Sequence, residues 1–342
     1  MYKRQVYEDD AAVFMKNNKP LPTLVLRNKI KDSVFKNYQV LLANKKKLAC
    51  ESQIGGISPF LLNNWLERMY LERLESKSVF IKQLLLETKN DYEAVLFMLL
   101  AKNFGLKVNG EAFLNLAKSV DFRVIKKESF REETLSALLF GQAGFLDEVV
   151  SEENQYIKTL KKEYTHLKHK YSLQSIHKSQ FQFFRMRPAN FPTIRIAQLV
   201  ALYVKNTQLF SKVIALNNLA SFYKLFEIEV GLFWKNHYTF EKESKRSSKR
   251  LTKNFVNLLL INTVIPLKFV FFKEHKRVEE DFFYLIKQIP SEKNTIISNF
   301  IKCNIKVESG FDSQALLQLH NNYCVLKKCL QCGVGNSLLR KN

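Results

Sequence analysis

The chain has 342 residues, 46% of them hydrophobic, with 54 Lys and Arg against 32 Asp and Glu and a formal net charge of +22. That apolar content excludes a disordered chain, and the length allows about two or three domains with buried cores. With 28 Phe and 13 Tyr against only 10 Gly and 7 Pro, chain breakers are scarce, which favours a helix-rich body.

In chain order, Met1-Tyr2-Lys3-Arg4-Gln5 resembles a translated adapter end. It is set apart from the fold as a scar, residues 1–5, with an upstream part of the native chain expected to be missing. Val6-Tyr7-Glu8 and Thr23-Leu24-Val25-Leu26 read as short strands separated by a turn at Asn17–Pro20. Residues 6–44 are therefore expected to be the remnant of a β-containing domain. From Ser58-Pro59, an N-cap followed by a first-turn proline, the pattern becomes helical, with apolar residues recurring at three- and four-residue steps. Further helices are expected at about 78–88, 91–104, 111–119, 131–146, 153–171, 193–205, 207–226, 252–262, 277–288, 291–303 and 312–332. The predicted fold is thus mainly α: a multi-helix globular domain over 45–342, preceded by the last strands of a truncated β-rich domain.

Phe255–Phe272 has the length of a membrane span but carries Asn257, Asn262, Thr263, Pro266 and Lys268. A lysine near mid-span costs about 2.5–3.5 kcal/mol on insertion scales, so the segment reads as a buried core element broken at Pro266, and no membrane partner is expected.

The surplus of positive charge favours a polyanion, nucleic acid above all. Two regions concentrate it. Between Lys158 and Arg187 basic residues dominate, with Ile157, Leu160, Tyr164, Leu167 and Tyr171 as the apolar stripe of the helix concerned. Around Lys242–Lys253, expected to be an exposed linker, Lys245, Arg246, Lys249 and Arg250 form a second basic run. Arg185-Met-Arg187-Pro188-Ala-Asn190-Phe-Pro192 breaks the chain into an extended lead-in, places Arg185, Arg187 and Arg195 about it, and offers Asn190 as a helix cap. The candidate nucleic-acid contacts are Arg185, Arg187, Arg195, Lys245, Arg246, Lys249 and Arg250. A charge run of this kind is equally an ordinary solvated face.

Three of the five cysteines fall in Cys324-x4-Cys329-x2-Cys332, followed by Gly333-Val334-Gly335. Such crowding, with no spread of paired spacings, suits thiolate ligands of zinc or an iron–sulfur cluster in a reducing compartment, the cytoplasm, better than disulfides. His320, four residues before Cys324, is a candidate fourth ligand. Cys303 fits no pattern and reads as a buried, inert thiol. Walker, dinucleotide-binding, nucleophile-elbow and zincin motifs are all absent.

Several strings in order resemble the bacterial family called domain of unknown function 2851. They are Trp65-Leu-Glu-Arg-Met-Tyr-Leu-Glu-Arg-Leu-Glu75, Leu100–Asn109, Ala137–Leu146, Arg185–Gln198, Trp234–Tyr238, Ile261–Pro266 and Tyr323–Gly335. The resemblance implies an acid-bearing sheet upstream of Val6, similar to restriction-endonuclease-like metal sites. The intact protein is then expected to be a metal-dependent nuclease whose catalytic part is missing here. It also draws attention to Cys50. One cysteine beside the sheet domain and three at the C-terminus resemble the iron–sulfur staples of some helicase-associated and CRISPR-associated nucleases, which makes Cys50 the other candidate fourth ligand. The alternative to a nucleic-acid-interacting protein is a non-catalytic scaffold whose basic charge is incidental.

Overall fold

The computed structural model describes residues 4–147, 154–276 and 281–340. The fold is mainly α, as the composition predicts. Two short strands, β1 (Arg4–Val6) and β2 (Thr23–Val25), precede the helices. The helices begin with α1 (Asp32–Ala43), α2 (Pro59–Glu87), α3 (Tyr92–Phe104), α4 (Leu106–Lys118), α5 (Phe122–Glu128), α6 (Glu132–Gln142) and α7 (Gln155–Lys170). They continue with α8 (Pro192–Lys205), α9 (Leu209–Ala215), α10 (Leu219–Leu225), α11 (Leu232–Asn236), α12 (Lys253–Leu259), α13 (Ile265–Glu274) and α14 (Asp281–Gln288). The last are α15 (Thr295–Lys302), α16 (Gly310–Leu319) and α17 (Gly333–Leu339).

The chain divides into two compact units, residues 1–73 with 291–342, and residues 74–290. In the first, β1 and β2 pair in parallel, Arg4 opposite Thr23 and Val6 opposite Val25. Between them Phe14 bridges Pro20 across a turn in which Asn18 takes φ 57°, as the turn signal predicts. The strand begins at Arg4, whose guanidinium donates to Ala11 O and pairs with Asp9 at 3.2 Å. Of the stretch read as a scar, Arg4 and Gln5 pair in this strand, while Met1–Lys3 lie outside the described residues. Helix α1 occupies part of the stretch read as strand remnant. The first part of α2 starts as the sequence indicates, with Ser58 Oγ accepting from Leu61 N at 3.3 Å and Pro59 in the first turn. It packs on α16 through Tyr70 and Phe311, whose rings meet edge-on at 5.3 Å, and through the Arg73 to Gln314 hydrogen bond of 2.6 Å. Ser309 and Asp312 close a capping box at the start of α16.

The second unit is built around the apolar faces of α3, α6, α8 and the helix formed by α12 and α13. The segment expected to break at Pro266 does not break. Residues 260–264 make a π turn between α12 and α13, so that one helix runs from Lys253 to Glu274. The π turn loosens the ladder just ahead of Pro266, where a ring must be accommodated and an N–H is missing. This helix is long and apolar enough to cross a membrane, but 83% of its most apolar window is buried inside the structure. Its polar groups are matched. Lys77 Nζ donates to Ile261 O and Asn262 Oδ1, Tyr223 Oη to Asn257 Oδ1, and the buried Lys268 Nζ to Leu216 O and Asn217 Oδ1. Satisfied buried polar groups of this sort belong to a core helix.

Helix α7 buries Ile157, Leu160, Tyr164 and Leu167, four of the five residues of the expected stripe; the fifth, Tyr171, is the half-buried C-cap. It lies so close to α6 that a Cβ at Gly141 would stand 2.1 Å from the Tyr164 ring. The expected helix starts at 153 and 277 lie outside the described residues.

Candidate metal centre

Four cysteines of the first unit line one small cavity. Cys50, Cys324, Cys329 and Cys332 surround a space of about 20 Å³ together with Leu41, Tyr323 and Gly335. Three local devices bring them there. Cys50 sits in the turn after α1, where its carbonyl accepts from Gln53 N and Ile54 N, both at 2.9 Å, and Asn44 Nδ2 holds the neighbouring Ala49 O at 2.8 Å. Cys324 ends the π turn 320–324 that extends α16. Cys329 lies in the single 3₁₀ turn 329–331, and Cys332 is the N-cap of α17.

The glycines after Cys332 are what allow this closure. A Cβ at Gly335 would stand 2.2 Å from Cys329 O, and one at Gly333 would stand 2.7 Å from the Trp65 ring. Only residues without side chains let the start of α17 approach both the cysteine turn and α2. Behind the site Trp65 packs edge-on against Tyr323 at 5.6 Å, and Tyr323 Oη donates to Glu72 Oε2 at 2.9 Å.

The electrostatics describe thiols crowded in a dry place. Burial pushes the Cys50 thiol up to about 12, with Cys332 and Cys329 adding to the shift. Burial also raises Cys324 and Cys329, and at Cys324 the other three cysteines reinforce it. Cys332 is raised by burial as well. Opposing that, the N–H groups of Gly335 and Val334 at the start of α17 favour its thiolate, and so does the indole N–H of Trp65. That N–H is buried and makes no hydrogen bond that meets normal geometry. Thiols in such surroundings are neutral at pH 7 unless a cation joins them, which inverts the balance. Among the described residues, no three His, Cys, Asp or Glu side chains are gathered tightly enough to stand as a finished metal site. The four sulfurs share a cavity without being drawn to the spacing that an ion would impose.

The two candidate fourth ligands differ in position. Cys50 lines the cavity and His320 does not, its Nδ1 lying 3.0 Å from Asn321 Oδ1. Cys303 is buried and donates from Sγ to Asn299 O at 3.2 Å, apart from the cavity. Its carbonyl abuts Gly55, a packing role.

The candidate nucleic-acid residues separate into two kinds. Arg185, Arg187, Lys245, Arg246 and Arg250 are exposed. Arg195 and Lys249, expected at the surface, are 7% and 8% exposed. Arg195 donates to Gln198 Oε1 and Asn190 Oδ1, stacks 3.7 Å over the Phe255 ring, and burial lowers its pKa to about 10. Asn190 therefore accepts from Arg195 and does not cap α8, which starts at Pro192 without a side-chain cap. Lys249, at φ 44°, turns inward to donate to Trp234 O and Lys235 O. The Lys242–Lys253 linker is thus pinned at its middle. Two glutamates of the Trp65–Glu75 string are paired elsewhere, Glu72 with Arg68 and Tyr323, and Glu75 with Lys273.

Neither the curated proteins nor the solved structures contain a match to the chain. The family described as protein of unknown function (DUF2851) matches residues 5–295. The match takes in Gln5, Cys50 and every string quoted above except Tyr323–Gly335, and it ends before the three clustered cysteines. With most of its length matched, the chain belongs to the DUF2851 family of proteins of unknown function.

Proposed function

We propose that the protein binds nucleic acid through exposed basic segments of its second unit. The supporting observation is that two segments far apart in sequence, 177–183 and 239–241, line one cavity of about 360 Å³. The exposed Arg185 and Arg187 follow the first segment closely, and Lys245 and Arg246 follow the second. At about 3.3–3.6 Å per residue at most, these side chains lie within reach of one polyanion. Each phosphate they neutralise releases condensed counterions, so binding is salt-dependent. Titrating labelled DNA and RNA at several salt concentrations tests this. Affinity is expected to fall linearly with salt on logarithmic axes, and Arg185→Gln with Arg187→Gln is expected to flatten the slope by about 1–2 units at an unchanged melting temperature. Absence of salt-dependent binding to any nucleic acid would remove the proposal.

The first unit has a different part in this reading. The cavity shared by Cys50, Cys324, Cys329 and Cys332 supports a thiolate-bound metal group, an iron–sulfur cluster or zinc. Such a group would join the turn after α1 to the C-terminal segment and lower the thiol pKa values that burial raises. Metal analysis of anaerobically prepared protein is the test: iron with broad visible absorption, or colourless protein with stoichiometric zinc.

A further inference from the structure

We propose that the cavity of the second unit is a stacking pocket for an unpaired nucleobase, so that the strand bound by this protein is single. The inference rests on the nucleic-acid reading above and narrows it to a substrate class.

The walls are aromatic. Phe145, Phe181 and Phe240 are buried and Phe183 is half-buried, all four lining the same space of about 360 Å³. That volume falls in the range of about 300–1,000 Å³ typical of ligand clefts. The rings brace one another. Phe145 lies 5.0 Å from Phe181 and 5.9 Å, edge-on, from Phe183, while Phe183 meets Phe191 at 5.2 Å and Phe240 meets Phe140 at 5.1 Å. Rings held in this way offer fixed faces, which is what stacking of an unstacked base requires and what every base can use.

The backbone that carries these rings is fastened at several points. Asn109 donates from Nδ2 to Gln182 O at 2.9 Å and accepts from Gln182 N at 2.7 Å, clamping the residue between Phe181 and Phe183. Thr193 Oγ1 donates to Tyr238 O, tying the start of α8 to the segment that supplies Thr239, Phe240 and Glu241. Gly144, at φ 73°, lets Ile176 O approach to where a Cβ would stand 2.7 Å away. The cavity is therefore built into the fold before any ligand arrives, which limits the ordering cost of binding.

The rim is polar and its charge is laid out for a nucleotide. His177, Ser179 and Glu241 are exposed at the cavity. Glu241 is an acceptor, suited to the amino group on a base edge. Lys178 also lines the cavity, and further positive charge follows in the chain, on Arg185 and Arg187 after Phe183 and on Lys245 and Arg246 after Glu241, where the sugar-phosphate backbone would run. Phe184, next in the chain after the lining residue Phe183, is 81% exposed with the Arg185 guanidinium 5.1 Å from its ring, a further aromatic surface. A base inside a duplex cannot reach such a pocket without leaving its stack, so a single strand is the natural occupant.

The test uses the whole chain and short single strands carrying 2-aminopurine, made as DNA and as RNA, beside duplexes of the same sequence. Binding is expected to quench the probe by stacking and to be tighter for the single strand, and the more tightly bound sugar identifies the natural strand. Phe183→Leu, which keeps apolar bulk but removes the π face, is expected to weaken single-strand binding about tenfold and abolish quenching, with duplex affinity and salt slope unchanged. Ser179→Trp, which fills the pocket from an exposed rim position, is expected to do the same and serves if Phe183→Leu alters the melting temperature. Salt-dependent binding that prefers duplex, or single-strand binding indifferent to both variants, would overturn the pocket and leave the nucleic-acid reading standing. Absence of salt-dependent binding to either strand form would overturn both.

Discussion

Two cavities of this protein are opposites. The one in the first unit is about 20 Å³ and lined by four thiols, and the one in the second is about 360 Å³ and lined by four phenylalanine rings. The thiol cavity is assembled mainly from one end of one helix and the turns after it. The aromatic cavity takes residues from the end of α6, the lead-in to α8 and the stretch after α11. A site built locally leaves a spacing in the sequence, and a site built from scattered segments leaves none.

The same contrast appears between two arginines of one string. Arg187 is exposed, whereas Arg195 is committed to Gln198, Asn190 and the face of Phe255. Charge alone made them equivalent.

The largest effect that would break this picture is at Trp65. Trp65→Ala is expected to cost about 3–5 kcal/mol in denaturant unfolding, because it empties the space against which α17 and Tyr323 close. Trp65→Phe keeps most of that volume and is expected to fold while holding metal less tightly, since the indole N–H that favours the Cys332 thiolate is gone. Equal metal retention in wild type and Trp65→Phe would show that the indole only packs.

Next comes the arginine pair. Arg195→Met is expected to lose on the order of 3 kcal/mol, from its charged hydrogen bonds and the two oxygens left unpaired, with the salt slope of nucleic-acid binding unchanged. Arg187→Gln is expected to stay within about 0.5 kcal/mol in stability and to reduce the slope by about 1. If the two variants behaved alike in both measurements, the division into buried and surface arginines would be wrong.

Gly335→Ala probes closure of the thiol cavity. Its Cβ would press on Cys329 O, and overpacking of this kind costs about 1–3 kcal/mol, read as a lower melting temperature.

The smallest effect is pH dependence at Glu128, which lines neither cavity. Burial raises its carboxyl, but hydrogen bonds from Tyr171 and Lys170 outweigh it and leave the pKa below the usual Glu value. The unfolded chain then takes up the proton first as pH falls. This contribution is present above the ordinary Glu pKa and is lost as pH falls through the lowered folded value. Glu128→Gln is expected to make acid unfolding shallower, and an unchanged acid limb would remove the carboxylate from the account.

Much of the fold was legible because its helices announce themselves by period. The stripe of α7, the cap at Ser58 and the breaks at Pro188 and Pro192 all stand where the residues place them. Helix α1 was hidden because it buries fully only Leu41 and mixes β-branched and aromatic residues, so its period is weak. Helix α17 was hidden by Gly333 and Gly335, which read as turn residues and serve close packing. Arg195 carried a signal that charge counting passes over. It lies within a run from Thr193 to Leu199 that is buried on every side, which marks a core helix whose charge must be paired internally. Lys249 carried none, since its inward turn depends on a left-handed backbone and on carbonyls of α11. For the thiol cavity the spacing showed three of the cysteines, while the fold alone shows that Cys50 lines it with them and that His320 is not among its lining residues.

The central claim is that these four cysteines form one metal centre. The most direct measurement is the metal content and visible spectrum of anaerobically prepared protein, taken beside Cys50→Ser and Cys303→Ser. The account predicts stoichiometric iron or zinc in the unaltered protein, the same in Cys303→Ser, and its loss in Cys50→Ser. Protein free of both metals, or metal retained in full by Cys50→Ser, would contradict it.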